Sequence, residues 1–454
     1  MNTKRMMRWV IVLFLLASLP VMTAVMAQGQ EPRWAPMRAN QEPKEPAPIA
    51  YDVNDSQIPG EGNLYESEPN DDRYDANRMF LSDVMDGFIY FSDLGIGSSK
   101  PDVDYFKFHM PEKGYVLIDV DSRQFNPNFP LDMAVCLEDS GGHEIACNND
   151  SDTSDPLLYY GLRAGDYFIR LNVLTAEGDY LLSLSSPLLI SAATKGSVDG
   201  ITFKPGDILA HADLNNGQEG WTMFFDASDV GIVKNVTNIA SNGGDQILLG
   251  FNAIMTLPGV GTVTPWDIVV FDAEKFGPDT QGTFQWGLPG RDHGLTMAPE
   301  KIDAIDGFIN GYDRCNGFPV STVGVANLPG PFGPMKQDDE DVFCIVYNPN
   351  FGGWQNWDWF FDVDGKNDAP PSEPPPGDIP YWLFQEDVIG MAYNDNTDVM
   401  YLTILGNGNI YGSTMDQTDI FSISYPSYTE GSFVWRGPSH GWIYNIDAFE
   451  MGIE

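Results

Sequence analysis

An all-β fold in two parts is what this sequence predicts: a β-sandwich followed by a repeat-built, propeller-like β domain. Two observations carry the prediction. Apolar and polar side chains alternate with period two in nearly every segment beyond residue 62, and Gly, Asn, Asp and Pro punctuate them every eight to twelve residues. Beyond residue 200 a longer unit recurs, each copy opening with an Asp ahead of an apolar strand.

Taken in order, residues 1–27 join a basic start (Lys4, Arg5, Arg8) to an apolar run that ends in Val25 and Ala27, the spacing of a signal-peptidase site. They read as an export signal, so the expected location is extracellular, secreted or held at the cell surface. No later segment reaches the roughly 18 to 20 apolar residues of a membrane span. Residues 28–62 are rich in Pro, Glu and Gln and lack apolar periodicity, the composition of an extended spacer. A second Pro-rich stretch, "APPSEPPPGDIP" at 369–380, reads as an exposed loop.

Charge narrows the choice of partner. The chain has 24 Lys+Arg against 65 Asp+Glu, a net charge of −41, or near −44 once the three basic residues of the signal are removed. A phosphate backbone would be repelled, which excludes nucleic acid, and divalent cations are the obvious relief for such self-repulsion. The four Cys fall as two local couples, Cys136 with Cys147 and Cys315 with Cys344. In an exported chain they predict two disulfides, one in each part; four buried thiols are the other reading.

Between residues 63 and 186, "DYFKFHM", "GYVLIDVDS", "LDMAVCLED", "HEIACNND", "LLYYGL", "GDYFIRLNV" and "GDYLLSLSS" read as the strands of a sandwich. The one helical hint is "DRYDANRMF". Several elements recur here in a known order: "ESEPNDDRYDANRM", "DGFI", "DVDYFKFHM", a hairpin ending in "NND", and "AGDYFIRLNV" with a closing "GDY". On these motifs residues 66–184, about a quarter of the chain, resemble the bacterial pre-peptidase C-terminal (PPC) domain family. The resemblance implies a jelly-roll-like sandwich that serves secreted proteins as an accessory module. From related collagenase modules it also implies calcium, held between the acidic opening and an acidic pair before the Tyr-Phe strand.

The residues suit that chemistry. Calcium takes six to eight oxygens from carboxylates and amide carbonyls at about 2.3 to 2.6 Å. Glu66, Glu68, Asn70 and Asp71 offer oxygens along an extended segment, whose alternation lets the first three point one way. Asp102 and Asp104, one strand period apart, could close the shell, although Pro101 stands where an acidic residue is expected. A solvated acidic linker is the alternative. The run holding Asp150, Asp152 and Asp155 reads as a polar loop.

In residues 200–454, "PGDILAHAD", "PWDIVVFDA", "DEDVFCIVY" and "QTDIFSISY" open units at Asp207, Asp267, Asp341 and Asp419. An aromatic strand follows each, then "NVTNIAS", "EKIDAIDGF", "EDVIGMAYN" or "NIDAFEM", so a unit supplies about four strands, the signature of propeller blades. The count gives three full units and a half-unit, with "GITF" as one candidate closing strand; two stacked sandwiches are the alternative. The repeats resemble β domains of secreted bacterial proteins and bring no chemistry with them. The leading Asp residues read as turn caps. "DVDGKND" at 362–368 is an incomplete calcium loop, lacking the oxygen and the Glu that would finish it. Trp354, Trp357, Trp359 and Trp382 read as core rather than as a sugar platform.

The five His, at 109, 143, 211, 293 and 440, form no metal spacing, and no nucleophile elbow is present. No catalytic residue is assigned. The function expected is a secreted, non-catalytic binding or structural protein with a calcium-stabilised accessory domain and a repeat domain that recognises an extracellular polysaccharide or protein. A secreted carbohydrate-active hydrolase with its site in the repeats is the alternative.

Overall fold

The computed structural model describes residues 64–89, 102–122, 132–149, 155–175, 177–214, 218–307 and most of 309–361 and 387–452. The expected export signal and spacer (residues 1–62), Pro101, Asp150, Asp152, the loop at 362–368, the Pro-rich insert and Trp382 lie outside the described residues. Among the described residues the ordered elements are strands and short 3-10 turns, as an all-β fold requires. No helix among them is long and apolar enough to cross a membrane.

The N-terminal strands are β1 (Leu64–Tyr65), β2 (Asn77–Arg78), β3 (Asp83–Ile89), β4 (Val103–Met110), β5 (Gly114–Asp121), β6 (Asp132–Asp139), β7 (Glu144–Asn148), β8 (Leu157–Leu162), β9 (Gly165–Thr175) and β10 (Gly178–Ser185). They form two five-stranded sheets, β1-β3-β10-β5-β8 and β2-β4-β9-β6-β7. Alternation explains the pairing of faces: in β4, Asp104, Phe106, Phe108 and Met110 are buried while the residues between them are not. Phe106 and Phe108 pack with Val116, Ile118, Val120, Leu182 and Leu184 of the facing sheet in one core. Each such fully buried side chain contributes about 1.5 to 3 kcal/mol. The "DRYDANRMF" segment is a turn closed on Asp72, followed by β2, and not a helix.

Both expected disulfides are present. Cys136–Cys147 joins directly opposed residues of β6 and β7, and Cys315–Cys344 closes a loop in the C-terminal half. Asp155 accepts the Ser122 hydroxyl at 2.6 Å, a loop contact within the sandwich.

The remaining strands fall into four-stranded antiparallel sheets of one pattern, each with a hairpin between its second and third strands. β11 (Leu188–Ala192), the hairpin β12 (Gly196–Val198) and β13 (Ile201–Phe203), β14 (Ile208–Leu214) and β15 (Gln218–Phe225) come first. The next sheet is β16 (Val236–Gly243), β17 (Gln246–Phe251), hairpin β18 (Met255–Leu257) and β19 (Gly261–Val263), β20 (Ile268–Lys275) and β21 (Gln281–Leu288). Then follow β22 (Ile302–Ile305), β23 (Gly317–Thr322), β24 (Ala326–Gly330), β25 (Gly333–Gln337), β26 (Val342–Asn348) and β27 (Gly353–Phe361). The last set is β28 (Val388–Asn394), β29 (Val399–Ile404), β30 (Asn407–Ile410), β31 (Ser413–Asp416), β32 (Asp419–Ser424) and β33 (Gly431–Arg436), and the chain ends on β34 (Ile446–Glu450).

β34 does not start a new sheet; it pairs with β11 and completes the first one. The innermost strands then touch in a cycle, β34 with β16, β16 with β22, β22 with β28, and β28 with β34. Closure therefore uses Leu188–Ala192, not the "GITF" segment, which is spent in the β12–β13 hairpin. Each innermost strand slips register near its start, at Val236/Asn238, Ile302/Ala304 and Val388/Gly390, and opposite Ser191/Ala192 in β34.

The leading Asp of each repeat opens the third strand of a sheet, so a unit counted from it spans two sheets. Three of these carboxylates, Asp207, Asp267 and Asp419, are caps. Asp207 accepts Lys204 N at 2.7 Å and Ala227 N at 3.1 Å, and Asp267 accepts Thr264 N at 2.8 Å and Gly290 N at 3.0 Å. Each thereby ties the hairpin to the chain that leaves the fourth strand. Trp357 is core, 1% exposed, with its indole N–H on His293 O at 2.7 Å.

The sandwich meets one end of this cycle. Tyr115 and Leu117, on the face of β5 turned from the sandwich core, share a cluster with Phe224 and Phe271. Tyr115 and Tyr159 meet Phe224 edge-on at 5.2 and 5.1 Å, and Phe276 stacks on Phe224 at 4.4 Å. Gly161 and Gly244 exchange backbone hydrogen bonds at 2.8 and 2.7 Å, and a Cβ on Gly161 would lie 2.7 Å from Gly244 O. Lys113, in the β4–β5 turn, places its Nζ 3.8 Å from Asp306 Oδ1, just beyond β22. Asp306 also accepts Tyr393 N at 3.0 Å. Burial and then Asp306 raise the nearby Glu450 carboxyl, and Lys113 pulls it back down.

Candidate metal centre

The acidic opening segment lies against the edge of both sandwich sheets. β1 runs parallel to β3, which brings Glu66 beside Asp86 and Phe88: Glu66 N donates to Asp86 O at 3.1 Å and Glu66 Oε1 accepts Phe88 N. Farther on, Asn70 O accepts Tyr105 N of β4 at 3.0 Å. Asn77 clamps the loop between, its amide exchanging hydrogen bonds with Ser67 N and O at 2.9 and 3.1 Å. These contacts fold the segment over Asp104, which is fully buried on β4.

One oxygen from each of Glu66, Glu68 and Asp104 lies within 4.8 Å of the other two. The amide of Asn70, a residue with no exposure, donates its N–H groups to Glu68 Oε2 at 3.1 Å and Asp104 Oδ1 at 3.2 Å and accepts from Asn77 Nδ2 at 2.9 Å when each end meets a partner. An amide at this place can serve the carboxylates with its N–H groups or turn its oxygen to a cation. Of the six residues expected from sequence, the structure thus gathers Glu66, Glu68, Asn70 and Asp104. Asp102 is buried at the start of β4, two residues away, and Asp71 is exposed.

Tyr180 is the residue at this cluster that sequence reasoning missed. From β10 its buried hydroxyl reaches Glu66 Oε2 and Asp104 Oδ2, each at 2.7 Å. Burial, then those two charges, push its own ionisation well above the ordinary value, so it keeps its single proton and satisfies only one carboxylate. The other must bind a proton or a cation. Burial, with a smaller opposing pull from Phe88 N, pushes the Glu66 carboxyl up to about 7. Burial and then Glu66 push Asp104 up to about 9, and burial also raises Glu68.

Gly87 makes room for this arrangement. It pairs with Tyr180 across β3 and β10, and a Cβ there would lie 2.3 Å from Tyr180 Cζ. Gly87→Ala is expected to displace the ring and lower stability by about 1 to 3 kcal/mol, as overpacked cores do, measured by chemical denaturation.

What the group can do is bind a hard cation. Three carboxylates converge, and no Lys or Arg pairs with Glu66, Glu68 or Asp104 among the described residues. Oxygen-only donors with no sulfur or imidazole select calcium-like ions over zinc.

No protein-family model matches the chain, and no curated protein does. Among solved structures it is similar to the pre-peptidase C-terminal domain of a collagenase from Bacillus anthracis, at 17% identity over 24% of this chain and 94% of that chain, with a TM-score of 0.20. A TM-score that low supports no inference about the site or an activity.

Proposed function

We propose that this chain is an exported, non-catalytic protein in which a calcium-stabilised, jelly-roll-like sandwich of the PPC kind carries a four-bladed, propeller-like domain that recognises an extracellular ligand. The observation that carries the metal part is the convergence of Glu66, Glu68 and Asp104 oxygens within 4.8 Å of one another, beside the Asn70 amide, with no Lys or Arg paired to them among the described residues. Glu66, Glu68, Asn70 and Asp104 would hold the ion, and Asp102 and Asp71 would be further ligands only if they reach it. A bound calcium supplies positive charge where three carboxylates meet, and it leaves the Tyr180 proton free to serve Glu66 or Asp104 alone. The propeller-like reading rests on the cycle of innermost strands and on the closing of the first sheet by the last strand. Two disulfides suit an oxidising compartment.

Titration calorimetry with calcium on the full chain tests the metal assignment. One site is expected in the parent protein, none in Asp104→Ala, and at least tenfold weaker binding in Glu68→Ala; tenfold is about 1.4 kcal/mol. Asp71→Ala should change affinity much less. Absence of binding in the parent protein, or unchanged binding in Asp104→Ala, would overturn the assignment.

A further inference from the structure

The closing seam of the cycle, where the first sheet faces the last, brings two imidazoles together. The third strand of each sheet begins at its leading Asp, and the fourth residue after that Asp lies on the face turned to the preceding sheet. At Phe271, Ile345 and Ile423 it is a buried apolar side chain, packed in the core shared with that sheet. In the first sheet it is His211, on β14.

His440 meets it from the last sheet, at the end of the 3-10 turn Gly437–His440 that follows β33. The two rings are half-buried, with centroids 5.1 Å apart and planes at 75°. Both stand on rigid elements. His211 is paired in the sheet with Leu188 and Trp221, and the Trp221 ring lies 4.7 Å away. Trp442 N donates to Gly437 O at 2.8 Å and closes the turn, Gly437 N donates to Thr418 O at 3.1 Å, and His440 O accepts the Trp221 indole N–H at 3.0 Å. Trp435 stacks on the His440 ring at 5.4 Å.

A second seam has the same build without the pair. Trp357 donates to His293 O at 2.7 Å, from a matching turn, Gly290–His293, just as Trp221 donates to His440 O. Opposite Trp357 in the sheet stands Ile345, where the closing seam has His211 opposite Trp221. That seam packs with an aliphatic side chain on the strand, so packing does not call for an imidazole at 211.

Metal chemistry does. Neutral imidazole suits zinc, copper and nickel, whereas calcium takes oxygens. Two imidazole nitrogens at about 2.0 to 2.1 Å from one ion, at a tetrahedral angle, set their ring centroids roughly 5 Å apart. His211 and His440 have that separation already. Trp435, 6% exposed, has an indole N–H without an acceptor among the described residues, and water on an ion at the adjoining His440 would give it one.

We propose that His211 and His440 bind one divalent transition-metal ion of the zinc or copper kind, which clasps the first sheet of the cycle to the last. The ion's remaining positions are filled by water.

Titration calorimetry with zinc on the untagged full chain, in saturating calcium at about pH 7.5, where imidazole is largely neutral, tests this. One zinc site is expected in the parent protein, weakened at least tenfold in His211→Ile and in His440→Ala. His211→Ile copies the residue of the matching strand and should keep the parent's circular dichroism. The two variants change different elements, so either decides the matter if the other fails to fold. His293→Ala should bind like the parent. Zinc should raise the melting midpoint of the parent protein and leave that of His211→Ile unchanged. A parent protein without a zinc site, or a site that survives in either folded variant, would overturn the proposal. It shares no residue with the calcium assignment, which calcium titration of His211→Ile reads separately.

Discussion

Lys113→Met is expected to cost about 3 kcal/mol of stability, because it removes the positive charge that faces buried Asp306 and lies near Glu450. The lysine comes from the sandwich and the acids from the end of β22 and from β34, Asp306 lying just beyond the first, so the loss should uncouple the two parts as well as weaken them. Urea denaturation should show a lower midpoint and a broadened or split transition. Glu450→Gln in the Lys113→Met background should recover part of the loss, the coupling that a double-mutant cycle reads for charges sharing one pocket. A change under about 0.5 kcal/mol, the usual size for surface substitutions, would show that Lys113 is an ordinary surface residue.

The second large effect is a dependence on pH that calcium removes. Glu66 and Asp104 have carboxyls pushed above their ordinary values of 4.5 and 3.8, to about 7 and about 9. In the metal-free protein the folded state therefore holds protons more tightly than the unfolded chain. The stability they confer is fully present below about pH 4 and is lost as pH rises through about 7 and then about 9. In chelator the melting midpoint should fall between pH 5 and pH 9. Saturating calcium replaces those protons, so the difference between calcium and chelator should widen as pH rises, with proton release on binding near pH 7. Glu450 shifts in the same direction, but it contributes equally with and without calcium and drops out of that difference.

The fold was legible where burial is one-sided. "DYFKFHM" alternates because one face of β4 meets the core and the other does not. β5 and β10 read as near-continuous apolar runs because the sandwich core covers one face and the other sheets cover part of the second. The repeats were visible because an Asp opens the third strand of each sheet, and at Asp207, Asp267 and Asp419 it caps the turn. The start of each sheet was not, since nothing local marks Leu188–Ala192 as the partner of Ile446–Glu450, a pairing set by closure of the chain.

The site was legible to a similar depth. Its acids stand out at alternating positions, and Glu66, Glu68, Asn70 and Asp104 do converge. Tyr180 was hidden, because the Tyr of a "GDY" strand looks like any core residue until β3 and β4 bring carboxylates to its hydroxyl. Lys113 was hidden for the opposite reason. A lysine in a "PEKG" turn reads as solvated, and only the docking of the sandwich buries its ammonium group.

Thermal melting of the parent protein at pH 8, with calcium and with chelator, tests the central claim most directly. At a hundredfold excess over the dissociation constant, calcium should stabilise by about 2.7 kcal/mol. For a domain of this size that raises the midpoint by roughly 5 to 10 °C. Asp104→Ala should abolish the difference. Equal midpoints in calcium and chelator, or a calcium-dependent rise that survives in Asp104→Ala, would contradict the account.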